Sequence, residues 1–256
     1  MLTSFVHAWR SWKTARGAGL LTIAALAVGI GSATAIFSIV HAVLLNPLPW
    51  AHPDRYYFQF GAWHTHPDWW TSTSYADYVD LAAQLQSVDT FGCSTSGSGN
   101  ITFHNQPQHV SDTEVSSSLV RSFGVKPTLG RWFSDEREPN GLRGAVLSYA
   151  LWRRLGSDPN IIGQPMTVNG ALHTITGVAP AWFRYPIYGE GSELWIPLNP
   201  NKNEQSFRSY HYLKCIAKVK AGVTTSQLKQ DGDRVLVVCA GNTRARLSQS
   251  LPTSNR

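Results

Sequence analysis

The stretch GAGLLTIAALAVGIGSATAIFSIVHAVLL, residues 17–45, contains no Asp, Glu, Lys or Arg and decides how this chain is organised. As a helix, a segment of this length would extend about 43 Å. Roughly 20 apolar residues are enough to cross the hydrocarbon core of a bilayer. The Ser and Thr residues within it are compatible with lipid because their hydroxyls can bond back to the helix backbone. We therefore predict a transmembrane helix over residues 17–45.

The charges that flank this segment predict its orientation. Arg10, Lys13 and Arg16 precede it, and no basic residue follows it before Arg55. Positive charge favours the cytoplasmic side of a membrane, so we expect the N-terminus in the cytoplasm and the rest of the chain outside. Residues 1–16 carry apolar side chains at three- and four-residue spacing, which predicts an interfacial amphipathic helix. An extended basic segment is the alternative.

A cleaved signal peptide is the competing interpretation of the apolar stretch, because Ala33-Thr34-Ala35 has the A-x-A form of a cleavage site. However, the apolar run continues as far as Leu45. The apolar region of a signal peptide should stop before its cleavage site. We therefore favour an uncleaved anchor.

Small residues are concentrated in the predicted membrane helix, with Gly29 and Gly31 among several alanines. Small side chains let helix backbones approach closely in lipid. We predict that Gly29 and Gly31 form a site where this helix packs on another membrane helix. A plain anchor that is rich in Ala and Gly is the alternative.

The charge distribution of the remaining chain argues against nucleic-acid binding. Residues 54–217 contain twelve basic and fourteen acidic side chains, whereas residues 218–256 contain seven basic and two acidic ones. Residues 54–217 form most of the folded body, and their excess of acidic side chains would repel phosphate. The 29 aromatic residues argue against disorder. We expect a folded domain with no nucleic-acid partner.

The patterning of residues 46–230 predicts one α+β domain. Ser74 and Ser148 are predicted helix N-caps. Asn169-Gly170 predicts a tight hairpin, and a second hairpin is predicted with its turn at residues 105–108. Strands and helices mix without strict alternation, which favours α+β.

The three cysteines are Cys93, Cys215 and Cys239, and their spacing fits neither a zinc site nor a redox pair. One pair could form a disulfide in an exported domain, but we favour ordinary buried thiols for Cys93 and Cys215.

Cys93 begins a Ser/Gly-rich stretch, residues 93–99, which we predict to be a loop. It lacks the Gly-Lys-Ser/Thr ending of a phosphate-binding loop.

Catalytic motifs are absent from the sequence, which has no G-x-S-x-G, H-E-x-x-H or Walker A pattern. The acidic residues at 135–138 precede Pro139-Asn140-Gly141, so a solvated turn is favoured over acid–base chemistry. The His and Asp residues at 64–68 lack a second cluster at metal-ligand spacing. We expect no enzymatic activity, no cofactor and no metal.

In this order, the elements resemble the MacB/FtsX-like ABC-transporter permeases, and specifically their MacB-like periplasmic core domain. The most similar branch is that of orphan permeases without a fused ATPase. The matching stretches are LAVGIGSATAIFSIVHAVLLNPLPW (26–50), SYADYVDL (74–81), FGVKPTLGRWF (123–133), AVLSYALWRRLGSDPNIIGQPMTVNG (145–170), TITGVAPAWFRYP (174–186), ELWIPL (193–198) and YLKCIAKVKAGVT (212–224).

The resemblance implies an anchor in the bacterial cytoplasmic (inner) membrane, followed by a periplasmic domain of mixed α/β units without catalytic residues. It implies the lipid bilayer, a separate ABC ATPase subunit and a permease homo- or hetero-oligomer as partners. The implied function is to couple ATPase-driven motion across the membrane for export or mechanotransmission. The alternative is a single-pass, membrane-anchored periplasmic binding or adaptor module without a transport role.

Residues 231–256 depart from the family pattern and form an atypical tail. The stretch 232–243 contains a Val-Leu-Val-Val run, typical of a strand, where an amphipathic helix is expected. We interpret residues 231–243 as a disturbed reading frame or an insertion, and expect residues beyond 230 to contribute little to the domain. No second apolar run of roughly 18 residues follows Leu45, so we expect a permease truncated after its periplasmic domain.

Overall fold

The structure, a computed structural model, describes residues 16–40, 53–63, 70–186, 191–240 and 243–248. The chain forms two compact units, residues 1–48 with 252–256 and residues 49–251. In the first unit, helix α1 spans Arg16–Val40. The predicted helix is therefore confirmed over residues 17–40. Residues 41–45 and the amphipathic helix predicted before Arg16 lie outside the described residues.

The second unit holds the remaining helices and all the strands of the described residues. Its helices are α2 (Tyr75–Gln84), α3 (Ser117–Ser122), α4 (Tyr149–Arg154), α5 (Lys202–Ser206) and α6 (Thr225–Ala240), with a short 3-10 helix at Pro53–Arg55. Its strands are β1 (Tyr56–Trp63), β2 (Trp70–Thr71), β3 (Val88–Phe103), β4 (Gln106–Val115), β5 (Leu129–Gly130), β6 (Arg143–Leu147), β7 (Pro165–Val168), β8 (Ala171–Val178), β9 (Leu194–Pro197), β10 (Lys214–Val219) and β11 (Thr243–Ser248).

These strands form one mixed sheet in the order β11-β1-β10-β3-β4-β9-β6-β8-β5. Strand β2 pairs with β1, and β7 pairs with both β3 and β8. The β4–β9 and β6–β8 pairs are parallel, whereas the other pairs are antiparallel. Helices and strands of both orientations share one domain, so the predicted α+β class is confirmed.

The N-caps and hairpins predicted from the sequence are present. The Ser74 hydroxyl accepts a hydrogen bond from the Asp77 N–H, and the Ser148 hydroxyl accepts one from the Leu151 N–H. The hairpin at Asn169-Gly170 joins β7 to β8. The β3–β4 hairpin also forms, but its turn is His104-Asn105, both with positive φ, rather than residues 105–108.

The predicted loop at residues 93–99 is wrong, because these residues lie inside the 16-residue strand β3. Strand β10 pairs with residues 88–94 of β3, and β4 pairs with residues 94–103. Residues 93 and 94 pair with β10 and residues 94–99 pair with β4, so neighbouring strands supply backbone hydrogen bonds along the whole stretch and its serines and glycines do not break the strand. Glycine also serves packing: a Cβ on Gly92 would lie only 2.6 Å from the Leu119 Cβ of α3.

Two groups of buried apolar residues form the core of the described domain. The α4 cluster packs around Leu151 and consists of Ile101, Phe103, Val110, Ala145, Leu147, Leu151, Ile161, Met166, Val168, Ile175, Val178, Leu194 and Ile196. The α2 cluster packs around Leu81 and consists of Leu81, Phe91, Cys93, Leu213, Cys215, Ala217 and Val235. Strand β3 contributes to both clusters and therefore connects them.

The strand-like interpretation of the Val-Leu-Val-Val run is also wrong, because residues 225–240 form helix α6. Leu228, Gly232 and Val235 are buried and follow one another at four- and three-residue spacing, which places them on one side of a helix. Val235 belongs to the α2 cluster. Burial of this side overrides the β propensity of the valines.

Residues 231–235 are attached to the domain by polar contacts as well. One Asp231 carboxylate oxygen accepts hydrogen bonds from the Gln86 N–H (2.7 Å), the Ser87 N–H (2.8 Å) and the Ser87 hydroxyl (2.7 Å). Arg234 donates to the Gln84 carbonyl at 2.9 Å. The expectation that residues beyond 230 contribute little is therefore wrong for residues 231–235. Their packing gives no structural sign of a disturbed frame.

Candidate functional sites

Helix α1 contains a segment that is long and apolar enough to cross a membrane, Gly19–Ser38, with a mean hydropathy of 2.1. None of this segment is buried inside the chain. The Ser32 hydroxyl donates to the Gly29 carbonyl, and the Thr34 hydroxyl donates to the Ile30 carbonyl. These bonds satisfy the hydroxyls of Ser32 and Thr34 within the helix, as expected for a segment in lipid.

The predicted packing residues Gly29 and Gly31 both lie in α1. A Cβ added at either position would meet nothing within 4 Å, so neither glycine is needed for contacts within the chain. Because successive helix residues are about 100° apart, Gly29 and Gly31 lie on nearly opposite sides of the helix. Any close packing at both glycines therefore involves two different neighbours.

Of the three basic residues that predict the membrane orientation, Arg16 starts α1, while Arg10 and Lys13 lie outside the described residues.

Cys93 and Cys215 form a disulfide in the α2 cluster. The two residues lie directly opposite each other on β3 and β10, with a Cα–Cα distance of 4.0 Å. The preference for unpaired buried thiols was wrong, since spacing in the sequence gives no information about strand register. Disulfides persist in oxidising compartments, so this pairing fits a domain outside the cytoplasm.

A cleft of about 630 Å³ opens beside β4, between the start of α4 and the residues that precede β9. It is lined by Ser98, His109, Val110, Ser111, Ser148, Ala150, Ala181, Phe183, Arg184, Gly191, Ser192 and Glu193. Its wall is held together by main-chain bonds: the Glu193 N–H donates to the Ser111 carbonyl at 3.0 Å, and the Ser148 N–H donates to the Glu193 carbonyl at 2.7 Å. The sequence alone does not predict this cleft, because its residues come from five separate stretches.

The charges of the cleft are unevenly satisfied. Glu193 is neutralised, because one of its oxygens forms an ion pair with Arg154 at 2.5 Å and the other accepts from the Ser111 N–H at 3.4 Å. Arg184 is exposed and forms no ion pair or hydrogen bond within the described part of the chain. Among the described residues that line the cleft, Arg184 therefore carries a positive charge that no carboxylate neutralises.

Asp112, the carboxylate that follows the lining residue Ser111, faces the other side of the sheet. Asp112 follows Ser111 on β4, and neighbouring side chains of a strand point to opposite faces. Its side chain is buried, and this burial raises the pKa of Asp112. Asp112 therefore does not cancel the positive charge in the cleft.

The acidic residues at 135–138 form structural contacts. Asp135 accepts hydrogen bonds from the Ser117 N–H (3.1 Å) and hydroxyl (2.5 Å) at the start of α3. Glu138 is buried and forms an ion pair with Arg131 at 2.5 Å. The predicted turn is present. The prediction that it is solvated is wrong for Glu138, which is buried. Its contacts hold the turn in place.

Among the residues that the structure describes, no group of three or more His, Cys, Asp or Glu side chains is arranged to hold a metal ion. Residues 64–68 lie outside the described residues.

The chain is similar to a known family of transporter domains. The family model described as MacB-like periplasmic core domain matches residues 20–234. This range includes most of α1 and ends within α6. Comparison with curated proteins gave no match.

Three solved structures share the fold. A domain of a permease protein from Porphyromonas gingivalis superposes with a TM-score of 0.63 at 14% identity, covering 80% of this chain and 95% of that one. The periplasmic region of MacB from Actinobacillus actinomycetemcomitans gives 0.56 at 14% identity, covering 82% and 94%. The extracellular domain of the noncanonical ABC-type transporter YknZ from Gram-positive bacteria gives 0.53 at 16% identity, covering 76% and 100%.

At these identities the solved structures establish the fold alone, whereas the family match covers most of the chain and includes both the apolar helix and the mixed sheet. The chain therefore belongs to the family of MacB-like periplasmic core domains, which are parts of ABC-transporter permeases.

Proposed function

We propose that this chain is a permease-type subunit of a MacB/FtsX-like ABC transporter that couples ATPase-driven motion across the membrane for export or mechanotransmission. The observation that carries the proposal is the continuous family match from the apolar helix α1 into the mixed α/β domain. This order gives the chain a membrane part and a folded part that could move together. A separate ABC ATPase subunit would supply the energy, and we expect no covalent chemistry from the chain itself.

The proposed placement puts α1 in the cytoplasmic membrane and residues 49–251 outside the cytoplasm. Arg10, Lys13 and Arg16 support this orientation through the positive-inside rule. The disulfide between Cys93 and Cys215 supports it independently, since such a bond is rarely maintained in a reducing cytosol.

Co-purification from bacterial membranes tests the proposed coupling. The tagged full chain would be extracted in mild detergent after cross-linking, and its partners would be identified by mass spectrometry. We expect an ABC ATPase subunit to be recovered with the wild-type chain. A matched control replaces α1 with an unrelated membrane helix of equal length, which keeps the anchor but changes the side chains that neighbouring helices meet. Absence of any ABC ATPase from the wild-type sample would contradict the proposal.

The alternative is a membrane-anchored binding or adaptor module without a transport role. The cleft favours this candidate, because a domain that only transmits motion does not need a recess lined by an arginine that has no partner among the described residues. Recovery of extracytoplasmic partners alone, without an ATPase, would support this second function.

A further inference from the structure

The cleft offers specific groups that the packing of the domain does not use. Ser98 lines it, is exposed and makes no hydrogen bond within the described residues. The His109 Nδ1 atom lies 3.1 Å from the Asn100 side-chain oxygen, which orients the ring at the cleft wall. With Arg184, these residues present hydroxyl, imidazole and guanidinium groups to one ligand.

The volume and the lining of the cleft indicate the kind of ligand. Binding sites for small molecules commonly enclose roughly 300–1,000 Å³, and this cleft has about 630 Å³. Four serines line the cleft, and the hydroxyls of Ser111, Ser148 and Ser192 already form hydrogen bonds within the domain. The hydroxyl of Ser98 has no partner among the described residues, so it can bind a hydroxyl group of a ligand. The charge of Arg184 adds a preference for an anionic group, because a guanidinium matches carboxylate and phosphate geometry.

An exposed aromatic residue adjoins the lining residues in the sequence. Trp182 lies between the lining residues Ala181 and Phe183 and is 52% exposed. Its ring meets Phe183 edge-on at 6.3 Å, and Phe183 in turn packs against the buried Trp195 at 5.3 Å. The indole therefore packs against Phe183 on one side, while much of its surface remains exposed to solvent. The C–H faces of a sugar ring can pack against such an indole while the hydroxyls bond to polar groups.

We propose that this cleft binds an acidic saccharide, a sugar ring that carries a carboxylate or a phosphate. Arg184 binds the anionic group, Ser98 and His109 bind hydroxyls, and Trp182 packs against the ring at the rim. This site is independent of the proposed coupling to an ATPase, because it uses only residues of the folded domain.

Saturation-transfer difference NMR on the full chain in lauryldimethylamine oxide tests the proposal, since this detergent has no sugar headgroup. The probes are glucuronic acid, glucose 6-phosphate, glucose and inorganic phosphate. We expect ring-proton signals from at least one acidic sugar, with glucose binding more weakly. The two acidic probes distinguish carboxylate from phosphate as the preferred anion.

Two variants and one control assign the effect to the cleft. Arg184→Gln should weaken binding of the acidic sugar roughly ten-fold, as expected when a charge-assisted hydrogen bond is lost. Trp182→Ala should weaken acidic and neutral sugars alike. The control is Arg121→Gln, since Arg121 is also exposed but does not line the cleft. It should leave binding unchanged.

Three results would overturn the proposal. The first is no signal from either acidic sugar at millimolar concentration. The second is an equal loss of binding in the Arg121 and Arg184 variants. The third is that inorganic phosphate competes as strongly as glucose 6-phosphate does, and that Trp182→Ala does not change this competition. This result would indicate a simple anion site.

Discussion

Replacing Asp231 with alanine tests how strongly helix α6 stabilises the domain. The substitution removes the acceptor of three hydrogen bonds from Gln86 and Ser87. Two of the three donors are backbone N–H groups, which would be left without this partner. Hydrogen bonds to a charged group contribute about 1.5–3 kcal/mol each, but they share one carboxylate and water replaces part of the loss. We expect the free energy of unfolding to fall by about 2–3 kcal/mol in total.

Thermal unfolding of the full chain in detergent measures this loss. For a domain of this size, 1 kcal/mol corresponds to about 2–4 °C, so Asp231→Ala should lower Tm by roughly 5–10 °C. Asp233→Ala is the matched control. Asp233 lies in the same helix and has no hydrogen bond or ion pair within the described residues, so the same substitution should change Tm by only a degree or two.

The effect should also depend on pH. Burial acts to raise the pKa of Asp231, but the hydrogen bonds from Arg234, Ser87 and Gln86 outweigh it and lower the pKa below its ordinary value. A carboxylate with a depressed folded pKa stabilises the protein fully above its unfolded pKa and loses this contribution as the pH falls through the folded value. The Tm difference between wild type and Asp231→Asn should therefore be constant above about pH 5 and shrink in more acidic buffer. Equal Tm values for the Asp231 and Asp233 variants at neutral pH would refute the reasoning.

The remaining predictions concern the disulfide and the membrane helix. Cys93→Ser with Cys215→Ser should lower the free energy of unfolding by about 2–5 kcal/mol. Because both cysteines are buried in the folded chain, the wild type is denatured before a maleimide reagent is added, and neither Cys93 nor Cys215 should be labelled until a reductant is present; labelling of either one in the denatured, unreduced chain would contradict the pairing. A reporter fused after Arg256 should be active only if it functions in the periplasm, and activity of a cytoplasm-only reporter would overturn the orientation. Gly29→Leu and Gly31→Leu, made separately, should each weaken helix association in a membrane two-hybrid assay, with Leu21→Ile as a control; unchanged association in both variants would show that both sides of α1 face lipid.

Local sequence signals predicted the local structure of this chain well. Ser74 and Ser148 cap their helices because each hydroxyl lies next to backbone N–H groups that have no partner in the first turn. Asn169-Gly170 forms its hairpin because both residues accept positive φ, at 47° and 83°. In each case the deciding interaction is made within a few residues, so the sequence contains the required information.

Features that depend on distant partners could not be predicted in the same way. The disulfide joins residues 122 positions apart, and the strand order that brings them together is not encoded by spacing. The cleft has the same origin, since Ser98 and Arg184 are far apart in the sequence and line one recess only in a fold that places β9 between β4 and β6. Helix α6 also depends on distant partners, because the burial of Leu228 and Val235 in the core outweighs the β propensity of its valines.

Strand β3 shows most clearly that composition alone does not determine where a strand forms. Its Ser/Gly-rich half would be a poor strand in isolation, because glycine loses more conformational freedom than other residues. In the folded chain, Gly92 gives α3 room to approach, and Phe91 and Cys93 pack in the α2 cluster, while Ile101 lies in the α4 cluster. A strand of this length extends about 50 Å, enough to reach both clusters. Packing therefore requires a small residue at Gly92, where an added Cβ would lie 2.6 Å from the Leu119 Cβ, whereas Ser96 and Ser98 are exposed. A loop at this position would separate the two halves of the core.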